Sequence, residues 1–163
     1  MSNVVKLRDE LFHQMKVAMK STILLLQKIK EEDWGYRPAP NMRTLHELAC
    51  HLVAIPEVDL LIMQEKGEDT IRQIEQKYNR LDTAKSLAQE MEQGYQMFIS
   101  YLLAMPEDEF FNKQTTPFYH EHSASQAHWF TESVTHMFHH RSQLFSYLKL
   151  RGYEVSMFDL YVE

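Results

Sequence analysis

Apolar residues recur every three or four positions along four long segments of the chain. In the first segment, residues 3–31, the predicted buried face consists of Leu7, Leu11, Met15, Ala18, Thr22, Leu25 and Ile29. Because an α-helix turns once in about 3.6 residues, this spacing predicts an amphipathic helix. The chain has only 4 Gly and 5 Pro among 163 residues, which disfavours a turn-rich β architecture.

The second helix has a clear start signal. Thr44 and Glu47 form the pattern of a capping box, in which each side chain bonds the backbone N–H of the other residue. The helix is predicted to continue to Met63. Pro56 is expected to kink it, because proline lacks the N–H that a helix interior requires.

Start and stop signals also delimit the third and fourth helices. The third is predicted to begin at Asp82 or Thr83. The fourth is predicted to begin at a second capping-box pattern, residues 123–126, and to end near Leu150, where Gly152 provides the usual terminating glycine. Residues 67–82 are polar and charged, and we interpret them as a connection that contains at most a short helix.

These four helices predict an all-α protein, a single four-helix bundle over residues 1–163 with a long crossover between helices 2 and 3. Antiparallel neighbours need only short loops, so the crossover allows the two middle helices to run parallel.

The net charge of −6 argues against nucleic acid as a partner. The apolar runs are too short to span a membrane. The only cysteine, Cys50, excludes an internal disulfide, and we expect a soluble cytoplasmic protein.

The fourth helix contains the sequence HMFHHRSQL at residues 136–144. On a helical projection, His139 falls on the polar side, whereas His136 and His140 face inward. Their spacing of four residues places the two imidazoles on successive turns of one face, where they can share a metal ion. Buried histidines bonded to core partners are the simpler explanation of such a short pattern.

A third histidine favours the metal interpretation. His51 lies on the flank of the buried stripe of the second helix and can reach the bundle interior. Together with His136 and His140 it would form a three-histidine site with an open fourth position, as in catalytic zinc sites. Cys50 is adjacent in sequence but is predicted to point outward, as a passive small residue.

Two motifs together resemble the DinB/YfiT-like family. RTLHELACHL, residues 43–52, is similar to the family pattern in which a glutamate lies four residues before a metal-binding histidine. HMFHHRSQL is similar to the second family motif, although Ser142 stands where glycine is usual. The resemblance covers the whole chain and implies one divalent metal, most often zinc or nickel, bound by His51, His136 and His140. It also implies a homodimer.

Five further residues are candidates for supporting the metal ligands or contacting substrate: Glu47, Trp129, Arg141, Gln143 and Tyr147. For Glu47 the capping box is already a sufficient role. A solvated helix glutamine is the simpler interpretation of Gln143. Arg141 could bind a carboxylate, form an ordinary ion pair or lie with its stem buried.

The resemblance implies a function as well. Characterised relatives include metal-dependent transferases and isomerases that use a low-molecular-weight thiol such as bacillithiol, mycothiol or glutathione. We therefore expect a metal-dependent thiol S-transferase that joins a small thiol to an electrophile. The alternative is a metal-binding bundle without catalysis that serves a stress response or a protein interaction.

Overall fold

A computed structural model describes residues 2–162. Four long helices form the body of the molecule: α1 (Asn3–Lys28), α2 (Leu45–Met63), α4 (Ala84–Ala104) and α6 (Gln126–Leu150). Two short helices lie in the connections, α3 (Glu68–Tyr78) and α5 (Glu107–Asn112). A two-residue antiparallel pair joins β1 (Gln114–Thr115) to β2 (Ala124–Ser125). The predicted all-α class is confirmed.

The long connection between the second and third bundle helices contains α3, and α2 and α4 consequently run parallel. His46, near the start of α2, lies beside the carbonyl of Leu81, just before α4 begins. Further along, the backbone of Glu57 lies beside Gly94. By contrast, α6 runs antiparallel to α2, since Met63 at the end of α2 is bonded to Gln126 at the start of α6.

The helix starts follow the capping rules with one correction. Thr44 and Glu47 form the predicted capping box of α2, and Thr83 is the N-cap of α4. The start of α6 was assigned wrongly from the sequence: Ser125 is its N-cap, and its hydroxyl accepts a hydrogen bond from the N–H of His128. Residues 124 and 125 pair with β1, so the helix cannot begin at Ser123.

The core fills the space between the four long helices. Among the large side chains that are completely buried are Met15, Leu25, Leu48, Leu52, Phe98 and Phe130. The predicted face of α1 is mostly correct, but Leu7 is 41% exposed. The helix also ends at Lys28 rather than residue 31, with a separate 3₁₀ turn at Glu31–Asp33. Within residues 2–162, no helix combines the length and hydrophobicity needed to cross a membrane.

Candidate metal centre

Three histidines from two antiparallel helices meet inside the bundle. The Nε2 atoms of His51, on α2, and His140, on α6, are 3.0 Å apart. The ring of His136 lies 5.4 Å from that of His51 and 4.9 Å from that of His140, between centroids. One ligand nitrogen from each residue lies within 4.8 Å of the others. The structure therefore brings together the three residues that the sequence predicts as ligands, while His139 is exposed as predicted.

The orientation of His140 is determined by Gln143, one turn further along α6. The Oε1 atom of Gln143 lies 2.8 Å from Nδ1 of His140. Because an amide oxygen can only accept a hydrogen bond, Nδ1 carries the proton and Nε2 presents its lone pair to the other two histidines. The simpler interpretation from the sequence, that Gln143 is only a solvated side chain, is therefore wrong, because Gln143 is bonded to His140.

A carboxylate approaches His136 in a comparable way. Oδ2 of Asp59 lies 3.5 Å from Nδ1 of His136, and the Asp59 side chain is only 15% exposed. A carboxylate beside one ring nitrogen of a histidine ligand fixes the orientation of the ring. No role for Asp59 was predicted from the sequence. Its position two turns beyond His51 on the same helix was the available signal.

Burial keeps two of the histidines neutral. Burial, together with the smaller effects of nearby His140, Arg43 and His136, lowers the pKa of His51 to about 3. Burial likewise lowers the pKa of His140 to about 4, against the opposing effect of its hydrogen bond to Gln143. At neutral pH both imidazoles therefore offer lone pairs. Three neutral imidazoles are a suitable donor set for zinc, nickel, copper or iron, so the residues fit a single divalent metal of this group.

Two adjoining cavities reach the histidines. The large cavity has a volume of about 540 Å³ and is lined by His51 and His136, by Arg37 and Arg43, and by apolar residues of α2 such as Ile55. A volume of this size is typical of small-molecule sites. The small cavity, of about 220 Å³, lies on the other side of His136 and is lined by Ile62, Trp129 and Ser133, among others. The candidate centre thus has room for small molecules on two sides.

The other predicted supporting residues have structural partners. The carboxylate of Glu47 accepts a hydrogen bond from the N–H of Thr44, as the capping box requires. Trp129 lines the small cavity and donates from its indole N–H to the carbonyl of Thr115. The Tyr147 hydroxyl donates to the carbonyl of Arg43.

Two further residues are buried: Arg141, for which a buried stem was one of three predicted alternatives, and Cys50, which was predicted to point outward. Arg141 is buried away from the histidines and donates to the hydroxyl of Ser21 and the carbonyl of Leu160. It thereby fastens the C-terminal segment to α1 and binds no carboxylate among the described residues. Cys50 is buried rather than directed outward, and its sulfur lies 3.4 Å from Nε2 of His46.

Known proteins with similar sequences or structures point to one family. The model of the DinB family matches residues 1–163. A DinB family member from Exiguobacterium sibiricum 255-15 is 28% identical, with a TM-score of 0.80, over 96% of this chain and 97% of that chain. A DinB-like protein from Bacillus cereus ATCC 10987 is 19% identical, with a TM-score of 0.72, over 91% of this chain and 95% of that chain.

A more distant likeness extends to an enzyme. A mycothiol-dependent maleylpyruvate isomerase is 9% identical, with a TM-score of 0.54, over 98% of this chain and 67% of that chain. At that identity only the fold is shared. Among curated proteins, none matches the chain significantly. The match along the whole chain, together with the parallel middle helices and the three clustered histidines, establishes that this chain belongs to the DinB family.

Proposed function

We propose that the protein is a metal-dependent thiol S-transferase whose metal is held by His51, His136 and His140. The observation that carries this proposal is the convergence of three imidazole nitrogens beside a cavity that His51 and His136 line, with His51 and His140 kept neutral by burial. An open site of three histidines is typical of catalytic rather than structural zinc. A ligand set without a carboxylate also leaves the positive charge of the metal uncompensated.

The chemistry requires a thiol to be ionised near neutral pH. A divalent metal at this site supplies positive charge that lowers the pKa of a coordinated thiol. In the overall reaction the S–H bond of the thiol and the bond from carbon to the leaving group of the electrophile break. A C–S bond forms, and the proton leaves with the departing group as its conjugate acid.

The protein's own residues position this reaction. Gln143 holds His140 with Nε2 directed at the centre, and Asp59 lies beside the outer nitrogen of His136. The apolar side chains that line part of the large cavity, Ile55 and Val58 among them, would displace some of the water from around the reacting sulfur. A thiolate with fewer hydrogen bonds to water is a better nucleophile than a fully hydrated one.

The choice of a small thiol as substrate has two supports. Imidazole-bound zinc and nickel have a high affinity for thiolate sulfur. In addition, one protein with the same fold is mycothiol-dependent. Because that likeness shows the fold alone, it is a reason to test thiols first rather than evidence about the substrate of this chain.

The test begins with metal analysis of protein purified without a histidine tag. We expect about one divalent metal per chain in the wild type, loss of that metal in His51→Ala, and retention in His13→Ala, a matched control at an exposed position of α1. The loaded protein is then assayed with a small thiol and chlorodinitrobenzene. Metal-dependent turnover that is absent in His51→Ala supports the proposal. Full metal loading without turnover with any thiol would refute the transferase and favour the alternative, a metal-binding bundle without catalysis.

A further inference from the structure

The two cavities share a wall but differ in chemistry. Val58, Asp59 and His136 line both of them, so molecules in the two cavities would meet beside His136. A reaction between two substrates requires such an arrangement, since the reacting atoms must approach each other while the rest of each molecule is held apart. The charges lining each cavity indicate which substrate it would accept.

The large cavity contains an arginine without a counter-ion. Of the two arginines in its wall, Arg37 lies 3.5 Å from the carboxylate of Glu47, which is also engaged in the capping box of α2. Arg43 makes no ion pair and no side-chain hydrogen bond with any residue from 2 to 162. Its guanidinium therefore has all of its donors available to a ligand in the cavity.

Arg43 is held close to the candidate metal centre. It immediately precedes Thr44, the N-cap of the helix that carries His51. Its carbonyl accepts a hydrogen bond of 3.1 Å from the hydroxyl of Tyr147, which lies on α6 two turns beyond His140. The backbone of Arg43 is thus attached to both helices that supply the histidines. Arg43, His51 and His136 line the same cavity, so one ligand in that cavity can contact both the guanidinium and the candidate centre.

The carboxylates of the large cavity do not cancel this charge. Glu47 is paired with Arg37, and Asp59 lies beside His136. Glu75 is exposed on α3, and no ion pair joins it to Arg43. Arg43 therefore remains the one uncompensated guanidinium among the described residues of this wall.

The small cavity has the opposite character. Its walls are largely apolar, formed by Val58, Ile62 and Trp129, and its charged groups are the carboxylates of Asp59 and Glu132. No lysine or arginine lines it among residues 2–162. Transfer of an anion into this space would cost desolvation energy without a cationic partner, so an uncharged, mainly apolar molecule fits best.

We propose that the large cavity binds a thiol bearing a carboxylate or another oxyanion, recognised by Arg43, and that the small cavity binds an uncharged electrophile. This inference rests on the proposed thiol transfer and specifies its substrate classes. A guanidinium forms paired, charge-assisted hydrogen bonds with an oxyanion. Arg43 is therefore a specificity-determining residue for the thiol, whereas the three histidines bind its sulfur end through the metal.

The test measures thiol binding rather than turnover. The protein is loaded with cobalt(II), whose sulfur charge-transfer absorption reports coordination of a thiolate. It is then titrated with three thiols of similar size: 3-mercaptopropionate, 2-mercaptoethanesulfonate and uncharged 2-mercaptoethanol. We expect the anionic thiols to bind at least about 10-fold more tightly than 2-mercaptoethanol, as expected for one charge-assisted pair.

Three variants locate the effect. Arg43→Gln should remove the preference for anionic thiols while leaving the affinity for 2-mercaptoethanol unchanged. Arg72→Gln is the matched control, because it removes the same charge from an exposed position that lines neither cavity. Ile62→Phe narrows the small cavity, so it should raise KM for chlorodinitrobenzene without changing thiol affinity.

Each result has a distinct meaning. Equal affinity for all three thiols, or a preference that persists in Arg43→Gln, would overturn the inference while leaving thiol transfer intact. Failure of every thiol to produce the charge-transfer absorption would instead refute the proposed function itself. Tight binding of both anionic thiols supports recognition of oxyanions in general, and tight binding of 3-mercaptopropionate alone supports recognition of carboxylates. A loss of thiol affinity in Ile62→Phe would refute the assignment of the two cavities.

Discussion

The Nε2 atoms of His51 and His140 lie 3.0 Å apart although the two residues are separated by 89 positions in the sequence. Two ring nitrogens approach this closely either when one donates a hydrogen bond to the other or when both bind one cation. Gln143 accepts from Nδ1 of His140, so Nε2 of His140 must act as the acceptor or the ligand. The hydrogen-bonding partner of His140 thus prepares it for metal binding.

We expect Gln143→Leu to weaken metal binding by about 10- to 100-fold, the usual effect of removing a residue that orients a histidine ligand. Leucine has a similar size but cannot accept the proton on Nδ1 of His140, so the ring is free to adopt the other tautomer. Competition titration with a chromogenic chelator would measure the change. Gln73→Leu, at an exposed position of α3, is the control. Equal affinities in wild type and Gln143→Leu would show that Gln143 does not orient the ligand.

Metal binding should also stabilise the folded protein. A ligand present at 100 times its Kd and bound only by the folded state adds about 2.7 kcal/mol. For a chain of this size, that corresponds to an increase in Tm of roughly 5–10 °C. Differential scanning fluorimetry with added zinc or nickel would measure the shift. His140→Ala should show almost none, whereas an equal shift in that variant would place the metal elsewhere.

The sequence predicted the bundle well because the apolar stripes of its helices are local patterns. Four helices, the capping box at Thr44 and the start at Thr83 all follow from spacing and capping chemistry. The errors lie where tertiary contacts override local signals. Ser123 has the residues of a capping box, but pairing of β1 with β2 keeps the chain extended up to Ser125. Leu7 is on the apolar face of α1, yet its side chain is 41% exposed.

The histidine cluster was accessible from the sequence, but its surroundings were not. Inward direction and a spacing of four residues made His136 and His140 candidates, and His51 together with the family resemblance favoured a metal site. The roles of Gln143 and Asp59 depend on side-chain rotamers and on the register between α2 and α6, which no local pattern encodes. Arg43 is exposed and flanks a helix cap, so its place in the cavity wall depends on how the segment before α2 folds back.

Cys50 should react slowly with alkylating agents. Burial raises the pKa of the Cys50 thiol from 9.0 to about 11, so at pH 8 the thiolate is about 100-fold less populated than in the unfolded chain. The thiol ionises at a lower pH in the unfolded chain than in the folded chain. Its ionisation therefore lowers the free energy of unfolding as pH rises from 9 towards 11. Labelling with iodoacetamide, followed by mass spectrometry with and without urea, would measure the difference. Comparable rates in both conditions would contradict a buried, protonated thiol.

Gly94 allows α4 to pack closely against α2, and a larger residue there should destabilise the bundle. A Cβ atom at this position would lie 3.2 Å from the backbone nitrogen of Glu57 and 3.4 Å from the hydroxyl of Tyr78. That hydroxyl donates a hydrogen bond of 2.8 Å to the Glu57 carboxylate inside the protein. Backbone atoms of a helix cannot move aside alone, so Gly94→Ala would push α2 and α4 apart.

The size of this effect depends on two opposing contributions. Replacing a helical glycine by alanine gains about 1 kcal/mol of helix propensity, whereas overpacking costs about 1–3 kcal/mol. We therefore expect Gly94→Ala to lower the free energy of unfolding by up to about 2 kcal/mol, as measured by urea denaturation. Gly35→Ala, in a turn outside the helices, is a control for overpacking alone, because no atom lies within 4 Å of the added Cβ. Stabilisation by Gly94→Ala would mean that the two helices separate there at little cost, and that the parallel pair carrying His51 is less tightly packed than the structure indicates.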